Sequence, residues 1–263
     1  MALFIASLNS GSNGNCYYAG NGRDAVLIDA GISRTETEKR LHQLGLSINT
    51  VKAIFISHEH IDHVKGVSGF ANKFSLPVYI TEGTLKNGPH LIRKLSRPFR
   101  AGEPVEVGTL TVTPFTKKHD AVDPHSFLIS HEGTNVGVFT DIGSVCEQVI
   151  QYFSQCHAAF LEANYDEAML DSGPYPLLLK NRIKGDQGHL SNLQALDLFT
   201  SHRPDFMTHL LLAHLSKENN DPELVRQLFL PHAGGVEIVI ASREKASALY
   251  TISLPGGKTG VDK

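Results

Sequence analysis

The segment HEHIDH, at positions 58–63, follows the apolar run AIFIS and holds three histidines and two acidic residues. Alternate side chains of an extended chain point the same way, so His58 and His60 can share one metal ion, and a turn after them would aim Asp62 and His63 at a second. Imidazole and carboxylate groups suit Zn, Mn or Fe(II). A histidine-rich solvated loop is the alternative, and the strand-like run before the segment argues against it. The sequence therefore predicts a metal site at the end of a buried strand.

The composition is typical of a globular chain. Of 263 residues, 41% are hydrophobic and 19% are charged, which is enough apolar surface for a substantial core. The net charge of -3 gives no global basic field, so any contact with nucleic acid must be local. Three cysteines argue against a disulfide framework, and the apolar start MALFIASL lacks the basic region and the length of a signal peptide or membrane span. We therefore expect a cytoplasmic protein without a membrane partner.

Short β-rich runs alternate with helix-like stretches along the chain. Strands are predicted at Leu3–Leu8, Asn15–Ala19, Ala25–Asp29, Ala53–Ser57, Val78–Ile80, Val105–Val107, Leu110–Pro114, Ser126–Ser130, Val136–Thr140, Ala158–Glu162, Leu210–Leu212, Val236–Ile240 and Leu249–Leu254. Helices are predicted at Thr35–Leu44, Val67–Lys73, Thr84–Leu95, Val145–Ser154, Asn192–Thr200 and Asp221–Leu230. No repeat or internal linker divides the chain, so we predict one α/β domain over residues 1–254, with two sheets packed face to face and helices outside, and a flexible tail at 255–263.

The segment SGSNGN, at positions 10–15, admits two interpretations. Its small residues could form a turn whose backbone N–H groups bind an anion. The favoured alternative is a tight hairpin with Asn13 and Gly14 at the turn. Cys16 follows in a strand-like pattern and is expected to be a buried thiol.

The pattern H-x-H-x-D-H after a strand resembles the signature of the metallo-β-lactamase fold, an αββα sandwich. Four further residues follow or end apolar runs and resemble the remaining motifs of that fold in the same order: Asp29, His119, Asp141 and His214. The resemblance implies that Asp29 supports the histidine loop and that the other three are metal ligands. His125 and His131 are rivals to His119, and a turn-forming role is the alternative for Asp29.

The same resemblance implies a site for two divalent ions, of zinc or manganese, with iron also compatible. One ion would take His58, His60 and His119, and the other would take Asp62, His63 and His214. Asp141 and a water molecule would lie between them. Paired ions of this kind lie about 3.5–4 Å apart and lower the pKa of bound water to about 7.

Other segments indicate which branch of the metallo-β-lactamase fold the chain resembles. Asp141 stands where the lactamases themselves generally carry a cysteine, and the 73 positions from Asp141 to His214 (214 − 141 = 73) are too few for the inserted domain of the β-CASP nucleases. The stretches SGSNGNCYY, KKHDAVDPHSF, GHLSN and AHLSKENNDPE together resemble the YycJ/WalJ branch, compact proteins regarded as DNA exonucleases that work from the 5′ end. The resemblance implies a nucleic-acid substrate, with DNA favoured over RNA.

The segment GHLSN also resembles a segment of related RNA-processing nucleases in which a histidine assists the leaving group. It places His189 in that role, with Glu162 as its supporting carboxylate, although Leu161 precedes Glu162 where those enzymes carry a histidine. Asp62, Asp141 and His189 are therefore the residues expected to carry catalysis. The expected reaction is hydrolysis of a phosphodiester by a hydroxide held between two ions.

Basic residues near the predicted site favour a phosphate-rich substrate independently of the resemblance. Five of them are expected to face it: Lys117, Lys118, Lys180, Arg182 and Lys184. Ordinary solvated surface is the alternative for such residues. Tyr165 and Tyr175 would offer a stacking surface for a base, or would pack in the core.

Two other functions remain open from the sequence. Thioester hydrolysis of the glyoxalase II kind uses the same metal positions, but that family carries a C-terminal helical region, whereas this chain is predicted to end in strands. A non-catalytic metal-binding scaffold is the second, and the complete ligand set argues against it. The sequence does not indicate an oligomeric state.

Overall fold

The structure is a computed structural model that describes residues 2–88 and 93–254. Fourteen strands are present in this part of the chain: β1 (Leu3–Asn9), β2 (Cys16–Gly20), β3 (Ala25–Ile28), β4 (Val51–Phe55), β5 (Val78–Tyr79), β6 (Ser96–Arg97), β7 (Val105–Val107), β8 (Leu110–Thr116), β9 (His125–His131), β10 (Thr134–Phe139), β11 (Ala158–Glu162), β12 (His209–Ala213), β13 (Glu237–Ile240) and β14 (Tyr250–Ile252). They form two seven-stranded sheets, in the orders β14-β1-β2-β3-β4-β5-β6 and β13-β12-β11-β10-β9-β8-β7.

Helices cover the outer faces of both sheets. The described residues form nine of them: α1 (Arg34–Gln43), α2 (Ile61–Val64), α3 (Val67–Phe74), α4 (Glu82–Asn87), α5 (Glu147–Phe153), α6 (Glu167–Ser172), α7 (Leu177–Lys184), α8 (Asn192–His202) and α9 (Pro222–Phe229). One apolar cluster lies between the sheets, a second lies under α5, α8 and α9, and a third lies under α1 and α3. This arrangement confirms the predicted αββα sandwich.

Strand β4 explains why the run before HEHIDH is continuously apolar. It pairs in parallel with β3 and β5 in the interior of the first sheet. Ala53 and Phe55 face the cluster between the sheets, Ile54 faces the cluster under the helices, and all three are fully buried. A parallel sheet that is covered on both faces needs apolar side chains at every position rather than at alternate ones.

Helix starts were predicted better than helix ends. The Asp221 side chain caps α9, with Pro222 at the first helical position, as expected from the sequence. The helix predicted at Thr84–Leu95 is instead confined to α4, and residues 89–92 of that prediction lie outside the described residues. Gly88 has extended backbone angles and precedes a proline in the sequence, which disfavours a continuing helix.

The topology gathers the carboxyl ends of several strands at one edge of the sandwich. Strands β3 and β4 run in parallel in one sheet, and β10, β11 and β12 run in parallel in the other. Ligands of α/β proteins bind at such carboxyl ends. The polar residues of the predicted motifs follow these ends. No helix of the described part is long and apolar enough to cross a bilayer, and the predicted tail at 255–263 lies outside the described residues.

Candidate metal centre

The histidine loop leaves β4 and becomes the single-turn helix α2, which carries Asp62 and His63. Backbone contacts hold it from below: the N–H of Asn15 donates to the carbonyl of Asp62 at 2.7 Å, and the N–H of Ala30 donates to the carbonyl of His63 at 2.9 Å. A Cβ atom at Gly31 would lie 1.6 Å from the carbonyl oxygen of Asp62, so only glycine allows this approach. The Asp-Ala-Gly motif after β3 therefore fixes the position of the loop.

The donor atoms of the predicted ligands come together in overlapping groups. The ligand atoms within each group all lie within 4.8 Å of one another. The groups among the described residues are His58, His60 and His119; Asp62, His63 and His214; His58, His63 and Asp141; and Asp141, Glu162, His189 and His214. The first two are the two ligand sets that the resemblance implied. The rivals of His119 lie elsewhere, with His125 Nδ1 at 2.9 Å from the carbonyl of Asp123 and His131 Nδ1 at 2.9 Å from the carbonyl of Thr109.

Most of the site histidines are oriented through Nδ1, which leaves Nε2 as the ring nitrogen available to a metal. His63 Nδ1 donates to Asp29 Oδ2 at 2.7 Å, and His119 Nδ1 donates to the carbonyl of Gly188 at 3.0 Å. Asp29 also accepts hydrogen bonds from the backbone N–H and the hydroxyl of Ser57, both at 2.8 Å. Such contacts fix the tautomer and the ring orientation of a metal ligand. Asp29 thus acts on His63 without being a member of any donor group.

Glu162 connects the metal centre to His189. One of its oxygens lies 2.8 Å from His189 Nδ1 and 2.9 Å from His214 Nδ1. The other accepts the backbone N–H groups of Ile142 at 2.8 Å and Leu190 at 3.2 Å. The sequence predicted the pairing with His189 and missed the pairing with His214. A single buried carboxylate therefore orients both a candidate ligand and the candidate proton donor.

Asp141 lies between the donor groups. Its Oδ2 is 3.3 Å from His63 Nε2, and its Oδ1 is 3.5 Å from His214 Nδ1 and 3.8 Å from His119 Nε2. Its backbone has a φ angle of +55°, and Asp29 and His214 have values of +60° and +55°. Left-handed backbone costs roughly 1–2 kcal/mol for a residue other than glycine. Such strain at three residues of one site is typical of functional geometry.

The buried carboxylates of the site need positive charge nearby to balance them. Burial alone would raise the pKa of Asp141, but His214 and His63 hold it well below its ordinary value. Burial alone would lower the pKa of His214, but the carboxylates around it, with Asp141 foremost, raise it to about 10. The pKa of His63 is likewise raised well above its usual range against the effect of burial, chiefly by Asp141 and Asp29. Protons on these two rings therefore balance the carboxylates in the metal-free protein.

Two unpartnered atoms test whether a metal fits. Asp141 Oδ2 and His214 Nε2 are buried, and no neighbour among the described residues meets either atom with the distance and angles of a hydrogen bond, although His63 Nε2 lies 3.3 Å from the first and Asp62 Oδ2 lies 3.6 Å from the second. Buried polar atoms normally have partners, and a missing ion accounts for an exception. A carboxylate oxygen and an imidazole nitrogen among further imidazole and carboxylate donors suit a divalent transition metal. The residues present therefore fit a metal centre.

We expect binding of Zn²⁺ to the metal-free protein to release protons. His63 and His214 carry protons at neutral pH because their pKa values are raised, and coordination requires the neutral ring. The affinity should therefore increase between about pH 6 and 8, and calorimetry in buffers of different ionisation enthalpy should show release of at least about one proton per protein. A His42→Ala variant, altered at an exposed position on α1, should release the same number. A heat of binding that is independent of the buffer would contradict this expectation.

The structure places the predicted substrate residues in different surroundings. Lys118 and Arg182 are exposed, and Arg182 lies beside the site, where its side chain pairs with Asp120. Lys180 and Lys184, both on α7, contact Asp171 of the preceding helix α6. Lys117 differs from the expectation, because its ammonium group is buried and donates to the carbonyl of Thr140 at 2.6 Å. It cannot meet a phosphate from that position.

The structure decides between the two alternatives for Tyr165. Tyr165 is 3% exposed and packs in the core, so it offers no stacking surface. Tyr175 is half-buried and lines the cavity over the site, which has a volume of about 260 Å³.

Three polar residues that sequence reasoning did not assign to the site orient its ligands. Asn15 Nδ2 donates to Asp62 Oδ2 at 3.1 Å, Ser10 Oγ accepts the backbone N–H of His214 at 2.7 Å, and Asn164 Nδ2 donates to the carbonyl of His214 at 2.8 Å. Ser10 and Asn15 belong to the SGSNGN segment, which connects the antiparallel strands β1 and β2. The connection is a six-residue loop in which the N–H of Gly14 donates to the carbonyl of Gly11 at 2.9 Å, and not the tight turn at Asn13 and Gly14 that the sequence favoured. The small polar residues of that segment were the available signal.

Comparison with known proteins assigns the family. The Metallo-beta-lactamase superfamily profile matches residues 10–175. The chain belongs to this superfamily. It is 36% identical over 230 residues to Exodeoxyribonuclease YycJ of Bacillus anthracis, covering 86% of this chain and 87% of that protein. It is 32% identical over 223 residues to Exodeoxyribonuclease WalJ of Streptococcus pneumoniae, covering 82% of this chain and 83% of that protein.

A solved structure supports the same fold. The metallo-beta-lactamase fold protein YhfI of Bacillus subtilis superposes with a TM-score of 0.74 at 17% identity, covering 95% of this chain and 100% of that one. At this identity the likeness concerns the fold alone. The resemblance to the YycJ/WalJ branch of the superfamily is confirmed, and the chain is a metal-dependent hydrolase.

Proposed function

We propose that this chain is a dinuclear-metal-dependent phosphodiesterase, and specifically a DNA exonuclease that acts from the 5′ end. The observation that carries the proposal is the Glu162–His189 pair beside two facing groups of metal donors. It gives a hydrolytic centre a proton donor of its own. The exodeoxyribonuclease names of the relatives support DNA as the substrate, and the 5′ direction rests on the resemblance to their branch.

In this proposal the two ions are zinc or manganese. His58, His60 and His119 would hold one, Asp62, His63 and His214 would hold the other, and Asp141 would contribute to both. Bound ions of this kind supply Lewis acidity toward the phosphoryl oxygens and a hydroxide nucleophile at neutral pH. The contribution of Asp29, Glu162 and the carbonyl of Gly188 is to fix the imidazole rings before substrate arrives.

His189 would protonate the leaving oxygen. Its Nδ1 is held by Glu162, so Nε2 is left as the ring nitrogen that can exchange a proton with substrate. The side chain is 21% exposed, and it lines the cavity together with Asp141 and His214. A histidine so placed serves as a general acid near neutral pH. The carboxylate of Glu162 holds the ring in the orientation that this role requires.

The cavity wall would position the phosphate backbone. Arg182 and Tyr175 line the cavity, and the exposed Lys118 precedes the lining residue Asp120 by two positions in the chain. Lys180 and Lys184 would add positive charge along α7. These cations would act locally, because the chain as a whole carries a net charge of -3.

The test uses purified protein, with its metal content counted, and one DNA duplex labelled at either the 5′ or the 3′ end. We expect Mn²⁺-dependent release of nucleotides from the 5′ end, and no release after chelation. Release from the 3′ end alone would overturn the direction, and faster cleavage of a matched RNA would overturn the preference for DNA. Hydrolysis of a glutathione thioester without cleavage of DNA, by protein with two bound metals, would overturn the nuclease proposal.

A further inference from the structure

We propose that a groove beside the metal centre is a second phosphate subsite, which holds the backbone of the DNA strand away from the scissile bond. The groove is lined by three cationic side chains: Lys217, Arg226 and Arg243. The proposal rests on the proposed nuclease function and adds a place where the polymer, rather than the reacting phosphate, is bound. None of the three residues belongs to a donor group of the metal centre.

The groove adjoins the cavity over the metal centre, with which it shares two lining residues. It has a volume of about 430 Å³, and the cavity over the metals has about 260 Å³. Leu215 and Ser216 line both, directly after His214 in the chain. A strand whose reacting phosphate lies among the metal ligands can therefore continue past these two residues into the groove.

Arg243 is the residue best prepared to bind a phosphate there. Its Nη2 donates to Ser12 Oγ at 3.2 Å, and Ser12 lines the metal-site cavity. Its Nη1 is buried and has no hydrogen-bond partner among the described residues. Arg243 lines the groove and is anchored through one nitrogen, so its positive charge is held at a fixed place beside an anion in the groove.

Backbone contacts hold Arg243 in place. Asn13 Nδ2 donates to its carbonyl at 2.8 Å, and the N–H of Ser10 donates to the carbonyl of Ser242 at 3.1 Å. Ser10 in turn holds the backbone of His214 through its hydroxyl group. The SGSNGN segment thus fixes the distance between Arg243 and the metal ligands. A subsite at a fixed distance from the reaction centre loses little entropy on binding.

The charge of the groove favours an anion. Three cations line it against one acidic side chain, that of Glu244. Lys217 and Arg226 have carboxylates nearby, but at 4.0 Å from Glu218 and 3.8 Å from Glu223 these are loose, exposed contacts. Arg243 forms no ion pair with a carboxylate of the described residues. Polymeric substrates exploit such sites because each neutralised phosphate releases counterions.

The experiment compares a DNA duplex with bis(p-nitrophenyl) phosphate, a single diester too short to enter the groove. Loss of one charge-assisted contact is worth about tenfold, so Arg243→Gln should raise the KM for DNA by about tenfold. The slope of log KM against log salt should decrease by about 1. The kcat/KM for the small diester should change by less than about twofold. Arg243→Lys keeps the charge and should retain most of the salt slope.

Two further variants complete the comparison. Arg23→Gln changes an arginine that is 82% exposed and lines neither cavity. It should leave the KM for DNA and the kcat/KM for the small diester unchanged. Lys217→Gln should also raise the KM for DNA, and it provides the test if Arg243→Gln does not fold. An unchanged KM for DNA in both groove variants would overturn the subsite.

The remaining outcomes separate the subsite from the proposed function. An equal decrease in the kcat/KM of Arg243→Gln for DNA and for the small diester would show that Arg243 supports the metal site through Ser12, and would overturn the subsite. Wild-type protein that hydrolyses the small diester but not DNA would overturn the proposed nuclease, and the subsite with it. Wild-type cleavage of DNA combined with unaltered groove variants would overturn the subsite alone.

Discussion

Replacing Asp141 by asparagine is expected to abolish hydrolysis while the fold is retained. The carboxamide preserves the size of the side chain but loses the charge that faces His63 and His214, so it cannot serve both metal sites. We expect kcat/KM to decrease by at least about 10³-fold, or about 4 kcal/mol at ~1.4 kcal/mol per decade. Metal analysis should show fewer than two ions per protein. Asparagine is preferable to alanine here, because it tolerates the left-handed backbone of this position.

The control for this variant is Asp197→Asn, which makes the same chemical change at an exposed position on α8. It should have wild-type activity and metal content. Circular dichroism of both variants should match that of the wild type. An Asp141→Asn protein that binds two ions and cleaves at the wild-type rate would remove Asp141 from the mechanism.

Replacing His189 by alanine is expected to lower the rate without removing metal. His189 is held by Glu162 at the cavity wall, and the seven histidine and aspartate ligands proposed above do not include it. A general acid contributes about 10²–10⁴-fold, so kcat on DNA should fall by this amount. Because p-nitrophenolate leaves without protonation, kcat on bis(p-nitrophenyl) phosphate should fall far less.

The comparison of leaving groups distinguishes the proton donor from a metal ligand. His189 also belongs to a donor group with Asp141, Glu162 and His214. If His189 were a metal ligand, His189→Ala should lose one ion and lower kcat equally on DNA and on the small diester. Glu162→Gln should lower kcat equally on both substrates, because the carboxylate of Glu162 orients His214 as well as His189. His42→Ala, at an exposed histidine of α1, should match the wild type.

Much of the fold was predictable because its signals are local. The continuous apolar run of β4 and the Asp221-Pro222 start of α9 depend on burial and capping within a few residues. The short helices α6 and α7 were missed, since α7 has no buried residue and therefore no apolar periodicity to detect.

The site was predictable where ligands follow strands and unpredictable where contacts cross the chain. His58 and His60 are marked by their spacing after β4. In contrast, Asn15 reaches Asp62 across 47 positions, and nothing local in the sequence indicates that contact. Lys117 illustrates the opposite error: charge predicts exposure, but its ammonium group is directed inward to the carbonyl of Thr140, near the carboxylates of the site.

The division of ligands between the sheets has a consequence for the stability of the whole molecule. The HEHIDH loop extends from the first sheet, whereas His119, Asp141 and His214 follow strands of the second. Bound ions would therefore cross-link two layers that otherwise adhere mainly through their apolar faces and a few hydrogen bonds. Ions that bind only the folded chain stabilise it by mass action, by about 4 kcal/mol at a thousandfold excess over Kd. Such a chain would resist heat or proteolysis according to the supply of metal around it, so the reaction centre would also be a clasp.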